Sequence, residues 1–319
     1  MNRDTRMVAD VGGTNTRIAL FDPAAGELRG LTVFKNREYP SFDAVISDWL
    51  ANLGEPAPRQ CCIAVAAPPA RDLVKMSNMD WSFSCSELAR RHGFRRLVRI
   101  NDFESNAYAL PHLDSEQLTP LQRGEVTGTS TTLAVVGPGT GLGGAFLIRM
   151  PNGERHAQAC EPGHSGLSPV TELELELFSL LLTRHEYIYS ELLVSGPGLL
   201  RLYQALAEIR GTVADASQPA EISRRAVAGR DELSILTLNT FCGLLGSACG
   251  DFLLNTGSYG GLYLAGGILP GMTDFLSASP FLQRLQAKGV MRDQLARVPV
   301  QLISSGHPGL VGAAHAPLG

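Results

Sequence analysis

Two stretches of this chain carry nearly the same pattern: Ala9-Asp-Val-Gly-Gly-Thr-Asn-Thr-Arg17 and Val136-Gly-Pro-Gly-Thr-Gly-Leu-Gly-Gly144. Each follows an apolar strand-like run, sets glycines around a threonine and leads into another apolar run. Strand, glycine loop and strand make a hairpin. Its turn presents bare backbone N–H groups, which glycine allows to come close to an anion. Two such hairpins in one chain predict a phosphate chain gripped from two sides, and so ATP-dependent phosphoryl transfer. Neither loop is a P-loop, because neither contains lysine. Gly139-Thr-Gly-Leu-Gly-Gly144 does match G-x-G-x-x-G, but a dinucleotide fold needs a helix next. Ala145-Phe-Leu-Ile148 follows instead, and it reads as a strand.

At 319 residues the chain exceeds one ordinary core, so two domains are expected. Its net charge is −4, with no run of like charge, which argues against a nucleic-acid partner. The first residues run straight into a strand, so no signal peptide is expected. No uninterrupted apolar stretch approaches the roughly 18 residues of a membrane span, so no membrane partner is expected either. The six cysteines show no C-x-x-C spacing and read as reduced core residues of a cytoplasmic protein.

Along the chain, Met7–Asp10 and Ile18–Asp22 are the strands flanking the first loop, and Gly26–Asn36 adds a third. Ser41 caps a helix whose apolar residues recur at Phe42, Val45, Ile46, Trp49 and Leu50. Cys61–Ala66 is a buried-type strand ended by Pro68-Pro69. Ser84 and Glu87 open a helix that stops at Gly93. Leu97–Ile100 is a strand, and Phe103–Leu110 a helix. Residues 112–130 are polar and turn-rich, a crossing between domains. Thr131–Val136 and Ala145–Ile148 flank the second loop. Glu172–His185 alternates like a strand, but length and composition favour helix. Leu199–Ile209 and Asp231–Leu254 are helices, Gly261–Ala265 and Val298–Ser304 strands, and Gly309–Ala316 a last helix.

Several residues could carry chemistry. Asp10 ends the first strand beside the glycines. It either approaches a phosphate-bound Mg²⁺, directly or through water, or caps the turn. Asn101 and Asp102 sit between a strand and a helix. They are helix-capping residues, or an acceptor site in which Asp102 takes a hydroxyl proton and Asn101 orients the substrate. Glu161-Pro-Gly-His164 brackets a tight turn. It suits a metal pair or a polar clamp for a hydroxylated ligand, although no His-Glu-x-x-His spacing is present. Glu191 alone reads as a solvated helix-face acid.

Taken in order, Asp10-Val-Gly-Gly-Thr-Asn-Thr-Arg17, Ile100-Asn-Asp-Phe103, Gly137-Pro-Gly-Thr-Gly-Leu-Gly143, Glu161-Pro-Gly-His164, Ser195-Gly-Pro-Gly198 and Leu264-Ala-Gly-Gly-Ile268 resemble the bacterial ATP-dependent glucokinases, from about residue 7 to about 316. Single motifs are shared across the actin-like ATPase and sugar-kinase superfamily; the ordered set is far more specific. The resemblance implies a two-domain α/β actin-like ATPase (ribonuclease H-like) fold with an interdomain active-site cleft. Residues 1–110 plus 301–319 would form the small domain and 111–300 the large one. By motif match, Asp102 corresponds to the catalytic base, and Asn101, Glu161, His164 and Glu191 to glucose ligands. Ala9, Asp10, Val11, Gly12, Gly13, Thr14, Asn15, Gly139, Thr140, Gly141, Gly266 and Gly267 correspond to the nucleotide-binding elements. Asp10 would reach Mg²⁺ through water, and a homodimer is implied as well. The chain departs from the family's usual Gly-Glu-Gly-Gly-His-Val-Asp, carrying Cys160-Glu-Pro-Gly-His-Ser-Gly166. Glutamate and histidine stay in place; the acid after them is gone.

The implied reaction moves the ATP γ-phosphoryl group to the 6-hydroxyl of D-glucose, giving glucose 6-phosphate and ADP. Rival acceptors are mannose, glucosamine and N-acetylglucosamine. A sugar-responsive repressor of the same fold would carry a helix-turn-helix and often a Cys-x-Cys-Gly-x-x-Gly-Cys zinc loop; neither is found here. An ATPase without a sugar acceptor is the third rival.

Overall fold

The computed structural model describes residues 5–66, 72–76, 79–125 and 132–318. The chain divides into two units. One holds Met1–Leu113, Arg155–Ala159 and Gly306–Gly319; the other holds Asp114–Glu154 and Cys160–Ser305. Pro68-Pro69 and residues 126–131, at the end of the expected crossing, lie outside the described residues.

In the first unit, β1 (Arg6–Val11) and β2 (Asn15–Asp22) pair antiparallel with Val11 opposite Thr16. That register leaves the glycines as the turn. β3 (Glu27–Lys35) extends β2. Then α1 (Phe42–Ala51) leads to β4 (Gln60–Val65), which runs parallel to β1. Ser41 caps α1 by accepting the Ala44 N–H at 3.2 Å, and α1 buries Phe42, Val45, Ile46 and Trp49 against the sheet. Cys61–Val65 is wholly buried, as expected of a parallel strand covered on both faces. A ribbon of β5 (Leu73–Lys75) and β6 (Ser82–Ser84) precedes α2 (Cys85–His92), which stops at Gly93 with φ 73°. β7 (Arg96–Ile100) joins β4 in parallel, giving the order β3-β2-β1-β4-β7. α3 (Asp102–Ala109) follows.

The C-terminal helix, Pro308–His315, packs on α3 at close range. A Cβ at Gly312 would overlap the Ser105 carbonyl oxygen, and the Ser105 hydroxyl donates to the Gly309 carbonyl at 2.6 Å. Arg6 donates to the carbonyls of Ala314 (2.7 Å) and Ala316 (2.8 Å).

The ring of His315 lies on that of His112, centroids 3.5 Å apart and planes 5° apart. Burial, then His112, Arg6 and Arg155, push the His315 pKa down to about 4. Burial also lowers His112, with Arg155 adding to it. A depressed imidazole pKa means that the unfolded chain binds more protons. Stability is therefore complete above about pH 6.5 and is lost as pH falls from 6.5 towards 4. Allowing for partial exposure, the loss by pH 5 is about 1–2 kcal/mol. Urea unfolding at pH 7 and pH 5 checks this. Wild type should lose that increment and His315→Gln should lose clearly less; parallel losses would refute the assignment.

The second unit repeats the theme. β8 (Leu118–Gln122) lies in the stretch expected to be a plain crossing. β9 (Thr132–Pro138) and β10 (Leu142–Arg149) are the second hairpin, with Pro138 opposite Leu142. β11 (Arg155–Cys160) has no counterpart in the sequence reading. Its residues 155–159, expected in the large domain, group with the first unit. Next come α4 (Glu172–Leu182), α5 (Ser190–Leu193), α6 (Gly196–Arg210), α7 (Pro219–Val227) and α8 (Glu232–Thr256). β12 (Gly261–Leu264) runs parallel to β9. α9 (Thr273–Ala278), α10 (Phe281–Gln286) and α11 (Arg292–Ala296) lead to β13 (Val300–Ile303).

β13 was expected with the first domain. It pairs in parallel with β12, and β8 pairs antiparallel with it, so both belong to the second unit. The sequence β10-β9-β12-β13 thus repeats β2-β1-β4-β7: a hairpin followed by two parallel strands. α8 is, among the described residues, the helix long and apolar enough to cross a bilayer, but 72% of its apolar window is buried. Phe241, Cys242, Leu244, Leu245, Cys249 and Leu253 fill this unit's core.

Candidate active site

In the first unit, the glycine turn closes by a hydrogen bond from the Gly12 N–H to the Asn15 carbonyl at 3.1 Å. Ala9 and Val11 are buried in β1, while Gly13 and Thr14 are exposed at the tip. Asn36 supports the turn from below. Its amide donates to the Gly12 carbonyl and accepts from the Thr16 hydroxyl, both at 2.8 Å, and its N–H donates to the Thr14 carbonyl at 2.9 Å. Nothing local in the sequence marks Asn36 for this role; only the β2–β3 pairing brings it there.

Asp10 points from the end of β1 to the start of the C-terminal helix. Gly309 has no side chain, and a Cβ there would sit 2.8 Å from the Asp10 carboxyl carbon. Arg17 pairs with Asp10 at 3.3 Å. Burial pushes the Asp10 carboxyl above the usual carboxylate range, and Arg17 and His307 pull it partly back.

Asn101 is the N-cap of α3. Its side-chain oxygen accepts the N–H groups of Phe103 (2.8 Å) and Glu104 (3.3 Å), and Glu104 accepts the Asn101 N–H at 3.2 Å. This capping box commits the oxygen of Asn101 and leaves its amide NH₂ as the group to offer a ligand. Asp102 is the first helical residue, where the helix dipole favours negative charge. Capping and acceptor chemistry are therefore compatible at this pair.

In the second unit, three candidates meet. Glu191, on α5, is no solvated helix-face acid: its Oε2 accepts the Leu142 N–H at 2.8 Å, at the edge of the second glycine loop. A Cβ at Gly141 would overlap that oxygen. A Cβ at Gly163 would meet the Leu142 carbonyl at 2.5 Å and the Glu191 Cβ at 3.1 Å. The turn holding Glu161 and His164 is thereby pressed onto the loop and Glu191. Pro162 adds to this, lying where a Gly144 side chain would go. Glu161 and His164 are exposed, 79% and 65%, and stand 4.0 Å apart.

The loop itself is drawn tight by Gly139 N–H to the Gly141 carbonyl at 2.7 Å. Its Gly139 carbonyl accepts the Gly196 N–H at the start of α6 (2.8 Å). Ser195 caps that helix. Gly266 needs its glycine: φ is 92° and a Cβ would overlap the Pro138 carbonyl. Gly139, Thr140 and Gly267 line a cavity of about 1000 Å³ together with Ser217, Ser223 and Arg224. No sequence motif marks these three; Ser223 and Arg224 lie on α7 and Ser217 just before it.

A sheet of hairpin and parallel strands built twice, each with a glycine turn at the hairpin, defines an ATPase-type domain pair of the actin-like fold. A family model described as Glucokinase matches residues 7–318. A glucokinase of Chromobacterium violaceum is 38% identical over 309 residues, covering 97% of this chain and 88% of the relative. The crystal structure of a glucokinase from an Antarctic psychrotroph is 38% identical with a TM-score of 0.89, covering 98% of each chain. A ROK family glucokinase from Streptomyces griseus, solved with glucose and AMPPNP, shares the fold at a TM-score of 0.64 and 19% identity, over 97% of this chain and 98% of that one. The chain belongs to the glucokinase family. It is an ATP-dependent hexose kinase with glucokinase activity, and the repressor and acceptor-free ATPase readings fall away.

Proposed function

We propose that Asp102 is the general base of this glucokinase, taking the proton of the glucose 6-hydroxyl as its oxygen bonds to the γ-phosphorus of ATP. Transition states of such transfers are loose, so positioning and charge stabilisation dominate. Asn101, Glu161, His164 and Glu191 hold the other sugar hydroxyls. Such a set disfavours analogues that leave a buried polar partner unpaired. The N–H groups of Gly13 and Thr14 and of Thr140 and Gly141, at the tips of the two turns, hold phosphate oxygens, and the cavity beside Thr140 and Gly267 takes the nucleoside. The supporting observation is Glu191. One carboxylate touches the phosphate loop through Leu142 and the sugar turn through Gly163.

Mg²⁺ fits the residues present as an ion carried mainly by the nucleotide. Asp10 is a hard oxygen donor at the loop. Among the described residues no group of three or more His, Cys, Asp or Glu gathers around a common point. When bound, it neutralises phosphate charge. A cytoplasmic homodimer is the further expectation that the family resemblance adds, and light scattering would read the dimer directly.

A coupled assay of ADP formation over a panel of hexoses, with and without Mg²⁺, tests the reading. ADP should form with glucose, and only with Mg²⁺ present. Glu161→Gln should raise the glucose KM about tenfold or more, since each factor of ten is about 1.4 kcal/mol, with the ATP KM little changed. An unaltered glucose KM would remove Glu161 from the sugar site.

A further inference from the structure

The exposed imidazole of His164 has a flat neighbour. Tyr189 lies against it with ring centroids 5.6 Å apart and planes 7° apart. Tyr187 stacks on Tyr189 in turn, at 6.4 Å and 22°. The stack is held from behind by the backbone. Gly166 and Tyr189 form an antiparallel bridge, and the Ser190 N–H donates to the Ser165 carbonyl at 2.9 Å. The Leu167 N–H donates to the Ile188 carbonyl at 3.3 Å. This bridge sets Gly166 beside Tyr189, with His164 two residues earlier at the end of the Pro162–His164 turn.

Gly166 closes the arrangement. A Cβ there would collide with the Tyr187 hydroxyl, so the Tyr187 side chain occupies the space that any other residue would fill. Gly166, standing where the resembled family has an acid, thus leaves room for the Tyr187 ring beside Tyr189. His164 has little else to fix its plane. Its contact with Glu161 is at 4.0 Å between exposed groups, where an ion pair restrains little.

We propose that Tyr189 is a positioning residue for sugar recognition. It sets the plane of the His164 imidazole, and with it the hydroxyl that the ring nitrogen meets, while Tyr187 and Gly166 hold Tyr189 in place. This rests on the reading of His164 as a glucose ligand. The outcome is preference among hexoses rather than rate of transfer, because the stack touches the binding group and not the base.

Steady-state kinetics at saturating ATP and Mg²⁺ test it with Tyr189→Leu, Tyr189→Phe, His164→Ala and the double variant His164→Ala/Tyr189→Leu. Tyr189→Leu should raise the glucose KM about three- to tenfold, the range that an aromatic pair supplies. Its kcat and ATP KM should stay within about twofold of wild type, and its ratio of glucose to mannose kcat/KM should shift. Tyr189→Phe keeps the ring and should restore wild-type values. In the His164→Ala background the leucine should add nothing, since the pair acts as one unit. If Tyr189→Leu does not fold, Gly166→Ala, which displaces the Tyr187 ring, carries the same expectation. A wild-type glucose KM for Tyr189→Leu alongside a raised one for His164→Ala overturns the inference. So does an equal leucine effect in both backgrounds. An unchanged KM for His164→Ala overturns the reading of His164 itself, and the inference with it.

Discussion

Asp102→Ala is expected to lower kcat for glucose phosphorylation by about 10²–10⁴-fold, the usual worth of a positioned base. Its glucose KM should move far less, because the hydroxyl ligands remain. The helix should survive the change. The cap and its reciprocal bonds belong to Asn101 and Glu104, not to Asp102. Loss of the first-turn acid costs the α3 dipole about 0.3–1 kcal/mol. Thermal melting together with glucose 6-phosphate formation separates the two contributions. Asp102→Asn should behave like the alanine variant, since an amide keeps the shape but cannot take the proton. Near-wild-type turnover in either variant would remove Asp102 from the chemistry.

Glu174→Ala should be strongly destabilising. Glu174 and Arg284 are both buried, 3% and 8% exposed. Their bonds are Nη1–Oε1 at 2.5 Å and Nη2–Oε2 at 3.1 Å, a bidentate pair. The Ser247 hydroxyl oxygen accepts from Nε (3.1 Å) and Nη2 (2.9 Å), and the Val170 N–H donates to Glu174 at 2.7 Å. This network ties α4, α8 and α10 together. α8 and α10 approach closely because Gly246 and Gly250 have no side chains; a Cβ at Gly250 would stand 2.5 Å from the Leu285 carbonyl.

Alanine at 174 would strand the guanidinium in the core, a cost of about 3–5 kcal/mol. That is a large share of the 5–15 kcal/mol typical of a whole fold. Melting should fall by about 6–20 °C for a unit of this size. Replacing both partners, Glu174→Leu with Arg284→Met, should restore most of the loss, because no charge is left uncompensated. Denaturation of the single and double variants reads this directly. A loss below about 1 kcal/mol for Glu174→Ala would show that water or another group takes over the arginine.

Glu174 also shows where sequence patterning needs tertiary context. Glu172-Leu-Glu-Leu-Glu-Leu177 alternates like a strand, yet it is the start of α4. Helical period places Glu174 inward and leaves Leu175 56% exposed, the reverse of what the residue types suggest. Arg284, 110 residues away, makes the inward glutamate tolerable. The same lesson holds for β8, which carries no pattern of its own and is a strand because β13 offers it an edge. The Ser41 cap and the Gly93 stop needed no such help, since capping is completed within a few residues.

The sequence alone determined the two glycine hairpins, most helices and their ends, the order of motifs, and through that order the family and its reaction. These rest on interactions between residues close in the chain, so composition and spacing carry them. Only the tertiary structure decided how Asn36 props the first turn, how Glu191 joins the second loop to the sugar turn, and how Tyr189 lies on His164. Each of those depends on strands, turns and side chains brought together from distant positions, and that pairing is set by the packing of each whole unit.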